Sequence, residues 1–134
     1  MSNKKKGSDA ERELLKLFTH HGWRAVRVAG SGTNDDSPCD MIAGKAGRKG
    51  YTVEAKSGRK KSIYISKEQI EDFILFSSMI GLTPVIALKF LRKGWLFLNP
   101  KDLRDSGKFW VADFEAAEEK GERFSQYFEG EGKP

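Results

Sequence analysis

Apolar positions along this chain recur with two different periods, and the switches between them mark out its elements. Ala10, Leu14, Leu17, Phe18 and His21 fall at helical spacing and predict an amphipathic helix that stops at Gly22. Ser8 and Glu11 stand three apart, the spacing of a capping box. Trp23 to Ala29 alternates instead, with Arg24, Val26 and Val28 on one face and Trp23, Ala25 and Arg27 on the other, as in a strand. Gly30 to Pro38 is loop by composition. Asp40–Ala43 and Tyr51–Lys56 read as two strands of a hairpin around a basic, glycine-rich turn. Ser66-Lys67-Glu68-Gln69 repeats the capping-box spacing and opens a helix to Ile80, closed by Gly81. Two nearly continuous apolar runs follow, Val85–Leu88 and Trp95–Leu98, of the kind that is covered on both faces. Asn99-Pro100 has the pattern of an N-cap followed by proline, and a short helix is expected within 113–131. The order α-β-β-β-α-β-β predicts one α/β domain over residues 1–134, a central mixed β-sheet flanked by helices.

The helix after Ser66 is apolar on two sides. Ile70, Phe73, Ile74, Phe76 and Ile80 span a stripe of about 160°, and Leu75 and Met79 form a patch roughly opposite. Either the helix lies between its own sheet and a second copy of the chain, with Phe73, Leu75, Phe76, Met79 and Ile80 at the seam, or the C-terminal segment covers it.

Charge adds a partner class. The chain carries 24 Lys and Arg against 19 Asp and Glu, a formal +5, with a pI near 9.3. Residues 1–70 hold 15 basic and 8 acidic side chains, net +7, whereas residues 71–134 hold 9 and 11, net −2. A basic half on a small domain points to a polyanion, most often nucleic acid, although a solvated lysine coat has the same composition. Lys4–Lys6, read as a mobile arm, with Arg27, Lys45, Arg48, Lys49, Arg59, Lys60 and Lys61, are the candidate phosphate contacts. Residues 113–131 are acidic, 7 against 2. The single cysteine, Cys39, suits a reducing, intracellular setting. No apolar run approaches the roughly 18–20 residues that span a bilayer, and the lysine-rich start lacks the apolar core of a secretory signal.

Candidate chemistry narrows quickly. His20 and His21 are adjacent and point about 100° apart on a helix, so they share no metal. Zinc spacings, nucleophile elbows and phosphate-binding glycine loops do not occur. In Thr52-Val53-Glu54-Ala55-Lys56, strand alternation puts Glu54 and Lys56 on one face, and the hairpin can return Asp40 beside Glu54. Two carboxylates with water and substrate phosphates suit a hard cation such as Mg²⁺, which activates water and polarises a phosphate. Glu-x-Lys also occurs at Glu118 and Glu131, outside any strand pattern, and Glu54/Lys56 alone is equally readable as a surface ion pair. Glu11 is explained by the capping box, yet it flanks the buried stripe and can reach inward to complete a three-carboxylate site.

The residues that carry this chemistry also carry a resemblance. Gly7-x3-Glu11-Arg12-Glu13-Leu14, Val26-Arg27-x-Ala29-Gly30-Ser31, Asp40-x-Ile42-Ala43-Gly44 and Val53-Glu54-x-Lys56 resemble the archaeal Holliday junction resolvases. The similarity continues through Ile63-Tyr64-Ile65, Phe76-Ser77, Pro84-x-x-Ala87-x-Lys89-Phe90 and Trp95-x-Phe97, covering about residues 7–98. It implies a restriction-endonuclease-like fold of the PD-(D/E)xK superfamily. It further implies a homodimer that nicks four-way DNA junctions in paired, symmetrical fashion with Mg²⁺ or Mn²⁺ during recombination and repair. Such an enzyme would be cytoplasmic and nucleoid-associated, with replication or recombination proteins as possible partners. Family catalytic positions fall on Glu11, Asp40, Glu54 and Lys56, the first three as metal ligands. Arg12, Arg27, Ser31 and Lys89 fall on DNA-contacting positions. Cys39 departs from the pattern by standing where proline precedes the aspartate, with Pro38 one position early. A nuclease for duplex, flap or mismatched DNA, or a non-catalytic DNA-binding module, would share the fold.

Overall fold

The protein is described by a computed structural model covering residues 2–28 and 37–130. Helix α1 (Ser2–His20) leads into strands β1 (Arg24–Arg27), β2 (Met41–Gly44), β3 (Tyr51–Gly58) and β4 (Ser62–Ser66). Helix α2 (Lys67–Ile80), β5 (Thr83–Phe90), β6 (Gly94–Leu98), a 3₁₀ turn (Pro100–Asp102), β7 (Arg104–Asp105), β8 (Phe109–Asp113), α3 (Phe114–Lys120) and α4 (Phe124–Glu129) follow. One sheet has the order β1-β2-β3-β5-β6, in which only β3 and β5 run parallel. A second sheet has the order β4-β8-β7. The expected central mixed sheet is therefore present, and β4, β7 and β8 add a small sheet that the apolar pattern did not announce.

Alternation along three strands divides the interior in two. Tyr51, Val53, Val85, Ala87, Trp95 and Phe97 face a core closed by Leu14 and Phe18 of α1 and by Phe124 and Phe128 of α4. Ile86, Leu88, Leu96 and Leu98 face a second core closed by Ile70 and Phe73 of α2 and by Ile63, Ile65 and Ala112 of the small sheet. Two-sided cover is what the unbroken apolar runs of β5 and β6 require. β1, at the sheet edge, is mostly exposed and carries Arg24 and Arg27, charges that discourage edge-to-edge pairing.

Three expectations are corrected. Helix α1 begins at Ser2, so Lys4–Lys6 are helical backbone rather than an arm before the helix, and Ser8 lies inside it rather than at its cap. Lysine is among the better helix formers, and one interior glycine, Gly7, costs only about 1 kcal/mol. Helix α2 does start after Ser66, whose Oγ accepts from the Gln69 N–H at 3.1 Å, and ends at Gly81 with φ 73°. Its apolar sides are divided differently, however. Phe73 is fully buried in the second core and cannot sit at a seam, and Phe76 packs partly against that core. Ile74, Leu75, Met79 and Ile80 are exposed, Met79 at 76%. The C-terminal segment leaves them exposed: β8 and α3 meet the second core through Ala112 and Ala117, on the buried side of α2, and α4 packs on the opposite face of the sheet.

The third concerns the acidic tail, where one short helix is expected: it forms two, α3 and α4, and the second enters the core. Phe124 and Phe128, one helical turn apart on α4, are buried. The Phe128 ring lies 4.9 Å from those of Tyr51 and Phe97, 5.2 Å from Phe18 and 5.4 Å from Trp23. Glu129 then accepts hydrogen bonds from Trp23 Nε1 (3.3 Å) and Lys45 Nζ (2.8 Å). Phe128→Ala is accordingly expected to cost about 3–5 kcal/mol of folding stability, read as a lower urea midpoint at an unchanged slope.

Candidate active site

Strand β3 builds the site because its alternation turns three successive side chains, Thr52, Glu54 and Lys56, toward α2 while Val53 packs on the α1 side. Thr52 Oγ1 and Ser77 Oγ lie 2.5 Å apart, and Ser77 spends its own proton on the Phe73 carbonyl at 2.7 Å, so Thr52 is the donor. Glu54 is 2% exposed. Lys56 Nζ stands 3.9 Å from Glu54 Oε2. Asp40, just before β2, joins the ladder through its N–H to the Val53 carbonyl, and its Oδ2 accepts from the Ala55 N–H at 2.8 Å. The hairpin thus returns Asp40 beside Glu54, as the spacing predicted.

Gln69 was legible only as half of a capping box. Its side chain instead bridges the pair, Nε2 donating to Glu54 Oε2 and Oε1 accepting from Lys56 Nζ at 3.3 Å. No sequence signal separates a capping glutamine from this one, because the distinction lies in where the side chain turns.

Burial pushes the Glu54 carboxyl up to about 8, and the nearby Asp40 charge adds to the shift. Lys56 and Gln69 pull the other way, and Glu11 contributes a smaller upward push. Cys39, packed beneath these groups, is raised to about 12 by burial and by the Glu54 and Asp40 charges, so its thiol stays protonated.

Glu11 is buried at the edge of this region, and its Oε1 takes both Arg27 Nε at 3.0 Å and Arg27 Nη2 at 2.9 Å. Among the described residues no three acidic, histidine or cysteine side chains converge closely enough to hold a metal ion. Asp40 and Glu54 come together; Glu11 acts on Glu54 through its charge while Arg27 engages its carboxylate.

The candidate DNA contacts divide by what already holds them. Arg12 is exposed and paired with Asp9 at 3.2 Å. Lys45 is taken up by Glu129 and by the His21 carbonyl, at 2.8 and 2.9 Å. Lys89 is held by Glu13 at 2.8 Å, and Glu13 also accepts from Trp95 Nε1 at 2.7 Å. Arg48 and Lys49 are exposed in the β2–β3 turn. Arg59, Lys60 and Lys61 are exposed in the β3–β4 turn, and the Leu91 N–H bond to the Gly58 carbonyl brings Arg92 and Lys93, exposed as well, to the same end of the sheet. Ser31 lies outside the described residues.

A mixed sheet whose central strand delivers Glu-x-Lys, with an aspartate returned beside it by the neighbouring strand, is the arrangement of the restriction-endonuclease-like nucleases. Within that class the chain belongs to the archaeal Holliday junction resolvase (Hjc) family, whose model matches residues 2–131. The resemblance carried by residues 7–98 is borne out and extends through the C-terminal helices. The chain is 40% identical over 109 residues to the crossover junction endodeoxyribonuclease Hjc of Methanocaldococcus jannaschii, covering 81% of this chain and 77% of that protein. It is 34% identical over 133 residues to the Hjc of Archaeoglobus fulgidus, covering 93% and 96%. The crystal structure of Archaeoglobus fulgidus Hjc, a Holliday junction resolvase, superposes with a TM-score of 0.78 at 31% identity, over 88% of this chain and 94% of that one.

The raised Glu54 makes a signed prediction for the cation-free protein. Between about 4.5, its ordinary value, and about 8, the folded state holds a proton that the unfolded state releases, so stability falls as pH rises through that window. Urea midpoints measured in EDTA across this range are expected to fall with pH in the wild type and to fall less in Glu54→Gln.

Proposed function

We propose that this chain is a structure-selective, metal-dependent endonuclease that resolves four-way DNA junctions by symmetrical paired nicks. It acts as a homodimer on nucleoid DNA in recombination and repair. The observation that carries the proposal is the buried Glu54 with Lys56 and Asp40 around it, in a chain whose relatives are named for crossover junction cleavage. A carboxyl that burial and a neighbouring aspartate press toward neutrality is a position where a divalent cation relieves crowded negative charge.

Asp40 and Glu54 are the residues that would hold Mg²⁺, or Mn²⁺ in its place, with water and a DNA phosphate completing the shell. Such a cation would supply Lewis acidity toward the scissile phosphate and toward water. Lys56 orients the attacking water or offsets charge building on phosphorus. Arg27, oriented by Glu11, offers positive charge to the DNA backbone from the edge of the site. Arg48, Lys49, Arg59, Lys60 and Lys61, with Arg92 and Lys93, supply phosphate contacts that carry no base information. Lys45 and Lys89 contribute less, because Glu129 and Glu13 already neutralise them. Shape and deformability then select the junction.

The exposed Ile74, Leu75, Met79 and Ile80 support a homodimer through α2, since contiguous apolar surface on a helix marks an interaction site. Leu75→Glu with Met79→Glu is expected to convert a sedimenting dimer to monomer; an intact dimer would move the seam elsewhere.

The deciding assay compares four-way junction, flap, linear duplex and single strand, each in Mg²⁺ and in EDTA. Paired nicks across the junction are expected only with the cation. Asp40→Ala and Glu54→Ala are expected to abolish them while junction affinity in EDTA stays within a few-fold of wild type. Equal cutting of linear duplex would assign a general duplex nuclease, and binding without nicking would assign a non-catalytic module.

A further inference from the structure

We infer that Gln69 is a positioning residue, holding Glu54 and Lys56 in one geometry for cleavage, and that its place in a capping pattern is incidental. The inference rests on the nuclease function proposed above and adds a residue to its site. The cap at this helix uses the main chain, the Gln69 N–H reaching Ser66 Oγ at 3.1 Å, and so does not need the glutamine side chain. Helix α4 shows the other use of the same residue type, where Gln126 Oε1 accepts from the N-cap N–H of Arg123 at 3.4 Å. At α2 the side chain turns into the site, and both of its polar atoms are engaged there.

The chemistry of the pair explains why an amide stands at this point. Glu54 needs a donor and Lys56 needs an acceptor, and a primary amide presents both from one planar group. A carboxylate would accept from Lys56 but repel Glu54, whereas an ammonium or guanidinium would do the reverse. Asparagine carries the same amide on a stem one methylene shorter.

The helix is also registered to the strand so that the amide stays in place. From Thr52 to Lys56 is four strand residues, about 13 Å, and from Ser77 to Gln69 is eight helical residues, about 12 Å. The near-equal spans let α2 grip β3 at both ends, by Ser77 on Thr52 and by Gln69 on Glu54 and Lys56. Three successive inward side chains of the catalytic strand are thereby tied to one helix.

Gln69→Ala and Gln69→Glu separate this role from capping, because glutamate is a favoured partner at the third helical position and would preserve or improve a cap. In single-turnover cleavage at saturating junction, Gln69→Ala is expected to be slower by about 10–100-fold, the scale of a misplaced catalytic group, and Gln69→Glu slower still. Junction affinity in EDTA is expected to match the wild type in both, while melting temperature falls in both because the buried Glu54 carboxyl loses its donor. Ser66→Ala, which removes the cap, is expected to lower melting temperature while cutting at nearly the normal rate. The side-chain amide resonance of Gln69 in cation-free protein gives a readout independent of cleavage, and it is expected to shift in Lys56→Ala and in Glu54→Gln. Wild-type cutting by Gln69→Glu, a rate loss matched by lost junction binding, or an amide resonance indifferent to both substitutions would each overturn the assignment. Wild-type protein that cuts no junction would remove the proposed function instead, and the amide resonance would still decide whether the bridge exists.

Discussion

The structure depends on keeping a carboxylate inside a sheet. β3 is flanked by β2 and β5, and Glu54 sits near its middle, out of water. An unpaired charge there would cost several kcal/mol, so the surroundings are organised to compensate. The ammonium of Lys56 stands on the same face, the Gln69 amide donates to the carboxylate, and Asp40 is drawn to the Ala55 N–H rather than left to face Glu54 alone. The apolar half of the same strand is what makes this possible. Val53 is buried against the α1 side, and the alternation that seats it also fixes the direction of Glu54 and Lys56. A one-residue slip in register would send Glu54 into the aromatic core and Val53 into the site.

That division was legible early because it needs only period-two alternation and a turn. Glu54, Lys56 and the returning Asp40 follow from residue spacing, and Ser66 and Gly81 bound α2 at the expected places. What escaped depends on contacts between distant segments. β4 alternates cleanly, Ile63 and Ile65 in and Tyr64 out, but over only five residues, and its partner β8 lies more than forty residues away, so the pairing that makes a sheet of them is not local. Phe124 and Phe128 are one turn apart in a segment whose composition reads as solvated acid, and only the position of α4 against Phe18 and Phe97 makes them core. Phe73 and Leu75 were grouped at one seam because a two-sided apolar helix does not declare which side meets its own sheet. Gln69 shows the same limit at the level of a side chain: its position was read correctly and its partner was not.

The net charge of +5 is also revised by the fold. Acidic residues of the second half neutralise particular cations of the whole chain: Glu129 takes Lys45 and Asp113 takes Arg104, while Glu13 of α1 takes Lys89. Of the cations left exposed, Arg59, Lys60, Lys61, Arg92 and Lys93 gather at the turns after β3 and β5, Arg48 and Lys49 lie at the other end of the sheet, and Lys16, Arg24, Lys101, Lys108 and Lys120 are scattered elsewhere. The acidic tail therefore does structural work on α1 and the β2 end, closing the aromatic core while trimming basic surface away from the site.

Cys39 carries a last consequence. It is the only thiol in the chain, it is sealed 1% exposed immediately beside Asp40, and it stays protonated. A reagent can reach that sulfur only when the segment bearing Cys39 and Asp40 parts from its surroundings. The chain thus contains its own clock for opening beneath the candidate site, one that runs whether or not DNA is present.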